Sequence, residues 1–178
     1  MKTKRIVFII FIATSLTVAN AQNFKLSDQV LDVGIGFGSS IYSSGSYSMG
    51  IPPLSISYEK GIKDDIIEKG VFSIGGYLGV SSYKYSITGS SASDIIIGAR
   101  GALHYPLIQD PKLDTYLGLM VFYNIESWSA KNSENESNGG PGWSIYLGGR
   151  YYFDKKISGF VELGYGISYL TVGVGFKL

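Results

Sequence analysis

Cysteine is absent from the 178 residues, which excludes disulfides, thiolate metal sites and a lipid-modified cysteine anchor. Histidine occurs once, so imidazole clusters for metal or for proton relay are excluded as well. Charge is scarce at 16% of residues, and Lys+Arg 15 against Asp+Glu 14 leaves a formal net charge of +1, with no basic cluster beyond the first residues. That balance gives no reason to invoke nucleic acid. Past residue 18 the apolar runs are short and interrupted by Gly, Ser or charge, far from the ~20 residues that a spanning helix needs. A membrane helix in the body of the chain is excluded.

What the chain does have begins with a leader. Lys2, Lys4 and Arg5 precede the apolar stretch Ile6 to Val18, and Ala19-Asn20-Ala21 forms a small-x-small cleavage site before Gln22. This is read as a secretory signal peptide over residues 1–21 rather than an anchor, because the stretch is short and carries Thr14, Ser15 and Thr17. Residues 22–178 then form one domain. The 24 Gly and 14 Tyr, with few helix formers, point to an all-β chain.

The tail YLTVGVGFKL places Leu170, Val172, Val174, Phe176 and Leu178 on alternate positions, with Thr171, Gly173, Gly175 and Lys177 between them. A period of two is that of a strand with one oily face. The same alternation recurs at 160–168, 143–153, 115–126, 94–105, 71–83, 53–61 and 30–42, which makes eight segments of about ten residues. Their other face collects Asp32, Glu59, Arg100, His104, Tyr146, Arg150, Tyr152, Glu162 and Lys177 among glycines and serines. Charges of both signs do not belong in a dry apolar core. A two-sheet sandwich would also need more charge on its outer faces. Strands of about 9 to 11 residues, apolar outward and polar inward, in an even number, instead fit an eight-stranded antiparallel up-and-down transmembrane β-barrel, whose interior is just wide enough for side chains to fill.

Within that barrel, Arg100 and Arg150 are expected to pair with Asp32, Glu59 and Glu162, and to hydrogen-bond Tyr146 and Tyr152, which would plug the lumen. A narrow aqueous path lined by the same residues is the alternative. Aromatic girdles at the two membrane edges are expected from Tyr42, Tyr83, Tyr85, Trp128 and Trp143 at outer strand ends, and from Tyr105, Tyr116, Tyr151, Phe153, Phe160 and Phe176 at inner ends. Outer loops are expected at 43–50, 84–93 and 127–142, and inner connections at 62–70, 106–114 and 154–159.

The Gly-rich first strand VGIGFGSS, the segment GWSIYLGGRYYF and the ending FVELGYGISYLTVGVGFKL together resemble the small outer-membrane β-barrel proteins of Gram-negative bacteria, the OmpA- and OmpX-like barrels. The resemblance covers nearly the whole chain after the leader, and rests on patterns rather than on a signature. It implies a place in the cell outer membrane, with outer-membrane lipids and the barrel-assembly machinery as partners. Such barrels usually finish on an aromatic residue that this machinery reads; here the last residue is Leu178 and Phe176 stands two positions earlier on the same face.

No catalytic constellation emerges. His104 is on the lumen face near the inner end, the wrong face and end for a hydrolase acting on outer-leaflet lipid. Asp64, Asp65, Glu134 and Glu136 lack calcium-site spacing, and VGIGFG alternates strictly instead of leading into a helix. No cofactor is expected. The leading expectation is a non-enzymatic structural or surface-interaction protein that meets an extracellular partner through loops 43–50, 84–93 and 127–142. Alternatives are a narrow passive pore for small solutes or hydrophobic molecules, a lipid-modifying barrel enzyme, and a soluble ligand-binding barrel of lipocalin type.

Overall fold

A computed structural model describes residues 24–39, 47–85, 90–129 and 136–178. The leader, Tyr42 and the side chain of Tyr85 lie outside the described residues. Eight strands follow one another: β1 (Gln29–Phe37), β2 (Tyr47–Asp64), β3 (Val71–Tyr85), β4 (Ser91–His104), β5 (Leu113–Ser129), β6 (Glu136–Tyr152), β7 (Ile157–Tyr165) and β8 (Leu170–Lys177). Each pairs antiparallel with its sequence neighbours, and β1 pairs with β8 to close the ring. The fold is an up-and-down closed barrel.

The alternation of the sequence is realised as inside and outside. Large apolar side chains stand exposed on the exterior of every strand, among them Val33, Ile56, Ile74, Ile97, Leu119, Leu147, Val161 and Val174. Buried inside are Asp32, Glu59, Asp94, Arg100, His104, Asp114 and Arg150. This inverts the arrangement of a protein dissolved in water, where apolar residues fill the interior and ionised ones avoid it. A hydrocarbon solvent around the barrel accounts for it, because every backbone polar group of a closed ring is satisfied within the sheet.

The middle strands are longer than the sequence pattern suggested. β2, β5 and β6 run to 18, 17 and 17 residues, against 9, 9 and 8 for β1, β7 and β8. Much of the expected loop 127–142 is consequently strand: Glu126 to Trp128 on β5 pair with Glu136 to Asn138 on β6. The expected loops 43–50 and 84–93 likewise shorten, since β2 begins at Tyr47, β3 continues to Tyr85 and β4 begins at Ser91. Gly, Ser and Asn in these stretches resemble loop composition, yet a long antiparallel ladder overrides that local preference. Pro52 and Pro53 fall where β2 has passed its last pair with β1, Ile35 with Leu54, and where its register with β3 is irregular. Their missing N–H groups interrupt no regular ladder there.

Candidate functional site

The barrel interior is built of successive polar layers, each supplied by inward positions of several strands. Nearest the inner end, Phe24 folds back over the mouth and stacks on His104, ring centroids 3.8 Å apart and planes 11° from parallel. Phe24 packs with Val30 and Val71 as a small apolar cluster. Beside it Lys177 pairs with Asp28 at 2.6 Å.

The next layer centres on Arg150, which is fully buried. Its two terminal nitrogens donate to Asp32 Oδ2 at 2.6 Å and Asp114 Oδ2 at 2.7 Å, and its guanidinium carbon lies 4.9 Å from the centre of the Tyr116 ring. His104 presents Nδ1 to Asp114 at 2.9 Å and Nε2 to Glu59 at 3.3 Å and to Ser73 Oγ at 3.0 Å. Both faces of the imidazole edge therefore meet acceptors.

Above it, Arg100 pairs with Glu59 at 2.7 Å and Glu162 at 2.6 Å, donates from Nε to the Tyr146 hydroxyl at 3.0 Å and from Nη1 to Ser57 at 3.1 Å. Tyr116 donates its hydroxyl to Glu162 at 2.9 Å. Glu59 links the two layers, since Arg100, His104 and, at 3.9 Å, Arg150 all approach it. Toward the outer end the interior turns apolar with Ile96, Met120 and Ile167, and beyond these Asp94 accepts from Asn124 at 2.9 Å and from Ser81 at 3.3 Å.

Such a network lowers the cost of burying charge by placing two carboxylates beside each guanidinium: Arg150 donates to Asp32 and Asp114, and Arg100 donates to Glu162 and stands in ionic contact with Glu59. It also leaves little space. Two voids between the described residues are small, about 30 Å3 beside Tyr77, Arg100 and Glu162, and about 20 Å3 beside Phe24, His104 and Asp114. Each has room for a water molecule or two, at roughly 10–15 Å3 of accessible volume apiece. Among the described residues no group of three His, Asp or Glu side chains is disposed to hold a metal ion.

The structure brings all seven expected lumen residues, Asp32, Glu59, Arg100, Tyr146, Arg150, Tyr152 and Glu162, to inward positions. Asp114 and Tyr116 join them without having been expected there. Four girdle assignments are corrected. Tyr83 and Tyr116 are buried inside, and Trp128 occupies an inward register opposite the buried Ala92. Phe160 is also buried inside. The physical reason is parity: position along a strand sets height in the membrane, while odd or even numbering sets the face, and on β5 the outward residues are Leu117, Leu119 and Val121. Tyr105, Trp143, Tyr151, Phe153 and Phe176 are on the exterior. Ile167 tucks into the outer mouth, because Gly166 at φ +125° ends the alternation of β7.

A closed antiparallel ring of eight strands with an apolar exterior and an ion-paired interior is a transmembrane β-barrel of the outer-membrane type. Known structures agree on that class. The N-terminal β-barrel domain of Pseudomonas aeruginosa OprF matches with a TM-score of 0.55 at 13% identity, over 86% of this chain and 98% of that one. Ail, the attachment invasion locus protein of Yersinia pestis, matches with a TM-score of 0.50 at 10% identity in its complex with the heparin analogue sucrose octasulfate, over 85% of this chain and 94% of that one. Ail without that ligand gives 0.50 at 9% identity, over 85% and 93%. No protein-family model and no curated protein sequence matches the chain. At these identities the likeness is one of fold.

Proposed function

We propose that this chain is an integral protein of the bacterial outer membrane with a structural or surface-interaction role and no catalytic activity. The observation that carries the reading is the combination of a hydrocarbon-compatible exterior with a lumen occupied by two arginine-centred layers and closed at its inner mouth by Phe24. An interior so filled offers no wide path for solutes, which favours a plugged barrel over a passive pore. What remains for function is the outer end, where β2 pairs with β3 and β5 with β6 in long extensions, and the partner would be met through residues of 43–50, 84–93 and 127–142, parts of which lie outside the described residues.

The Ail structure holds a heparin analogue, but a polyanion is a poor match for this outer end. Among the described residues there, Lys84 is the cation, and Asp94 and Glu126 lie nearby in the same walls. A partner recognised through Ser, Asn and aromatic groups fits this surface better than a sulfated glycan does.

The reading is tested by membrane fractionation with a heat-modifiability gel, followed by planar-bilayer recording. The mature chain is expected in the outer-membrane fraction, with different unboiled and boiled mobilities and no steady conductance. Recovery in the soluble periplasmic fraction overturns the membrane assignment, and a stable open channel overturns the plug.

A further inference from the structure

The lipid-facing side of the barrel carries a basin. Outward positions of neighbouring strands align in rows across the ladders, and in two adjacent rows the side chains dwindle midway: Lys60, Ile74, Gly101, Leu119 in one, and Tyr58, Gly76, Ala99, Val121 in the next. Phe72 and Leu103 border it on the inner side, and the next outward row toward the outer end carries Leu78 and Ile97. The resulting groove has a volume of about 940 Å3, at the upper end of the roughly 300–1,000 Å3 typical of small-ligand sites.

The barrel's own packing does not require this hollow. A Cβ on Gly76 would meet only the carbonyl oxygen of Gly98, at 4.0 Å. Glycine inside a strand is destabilising relative to alanine, a cost that an occupant from outside can offset. The chemistry of that occupant is indicated by Lys60. It projects from the exterior face at the basin's inner edge, exposed, with Gln29 across the β1 ladder on one side and Ile74 across the β3 ladder on the other, and among the described residues no carboxylate pairs with it. A lone ammonium on a lipid-facing strand is unfavourable unless its stem lies along apolar surface and its head meets an anion.

We propose that this groove seats one glycerophospholipid of the inner-end leaflet, its acyl chains lying over Gly76, Ala99 and Gly101 and its phosphate paired with Lys60. The inference rests on the membrane reading above, which the gel assay tests separately.

The experiment is native mass spectrometry of the mature chain, refolded in mild detergent with phosphatidylglycerol or, as a probe lacking the phosphate, diacylglycerol. Only preparations that pass the heat-modifiability gel are scored, so a chain that does not form a membrane barrel fails before any lipid is counted. Wild type is expected to retain one phosphatidylglycerol and no diacylglycerol. Retention is expected to fall about tenfold in Lys60→Gln, as for loss of one charge-assisted contact, and to vanish in Gly76→Leu, whose side chain fills the basin. Equal retention of both lipids by wild type overturns the proposal, and so does unchanged retention in Lys60→Gln. A dimer lost in Gly76→Leu, with no lipid retained by wild type, overturns it in favour of a second copy of the chain. Should Gly76→Leu fail to fold, the diacylglycerol comparison and Lys60→Gln decide the matter.

Discussion

Arg150 on β6 reaches Asp32 on β1 at 2.6 Å, straight across the lumen between residues 118 apart in the chain. The same guanidinium holds Asp114 on β5, so one side chain ties three strands together inside the ring. Replacing Arg150 by Met leaves the buried Asp32 without its partner and Asp114 with His104 alone. Loss of about 3–5 kcal/mol is expected in urea unfolding from lipid vesicles. Adding Asp32→Asn and Asp114→Asn to Arg150→Met is expected to recover much of it, and a triple variant as unstable as the sum of its parts would refute the clamp.

Inward glycines make room for specific rings. A Cβ on Gly118 would collide with the Tyr146 ring, and one on Gly148 with the Tyr116 ring. Gly118→Ala is expected to cost about 1–3 kcal/mol by overpacking, and less in a Tyr146→Leu background. At Gly75 the obstacle is the backbone carbonyl of Tyr58. No side-chain substitution on β2 is expected to rescue Gly75→Ala, and folding yield in detergent measures the difference.

Phe24 separates stability from conductance. Phe24→Ala removes a buried ring from the inner mouth and is expected to cost about 3 kcal/mol. Bilayer recordings of the same variant are expected to remain closed, since the Arg150 and Arg100 layers still fill the lumen. Steady conductance would make Phe24 itself the seal.

The turn between β6 and β7 is sensitive to acid. Asp154 accepts from the backbone N–H of Lys156 at 2.6 Å and of Ile157 at 3.0 Å, and these bonds hold its carboxyl below the ordinary value of 3.8. A lowered folded-state value means that the stabilisation is present above the ordinary carboxylate range and is lost as pH falls through the folded-state value. Asp154→Ala is therefore expected to speed amide exchange at Lys156 and Ile157 at neutral pH. As pH falls through the folded-state value the variant and the wild type are expected to converge.

Period-two alternation is legible wherever a strand carries both a charge and a branched apolar neighbour. On β4 and β6 it separates Arg100 and Arg150 from Ile97 and Leu147 without ambiguity. It fails in three ways here. Tyr116 and Trp128 follow the parity of β5, but their residue type suggests an interface, and type prevailed over parity. Asp114 stands at the second residue of its strand, inside what reads as a connection. Phe24 belongs to no strand, and its stacking on His104 depends on a chain segment folding back. Which arginine meets which carboxylate depends on ring closure and was not legible, because the partners are brought together across the cylinder rather than along the sequence.

The ladder joining β1 to β8 runs from Val30 opposite Lys177 to Phe37 opposite Leu170. None of these bonds can form before the final eight-residue strand has been synthesised and delivered. Until then the growing sheet carries two naked hydrogen-bonding borders, the condition that invites wrong pairing between chains. Closure therefore waits for β8, and a polypeptide cut short before Leu170 cannot join that strand to β1.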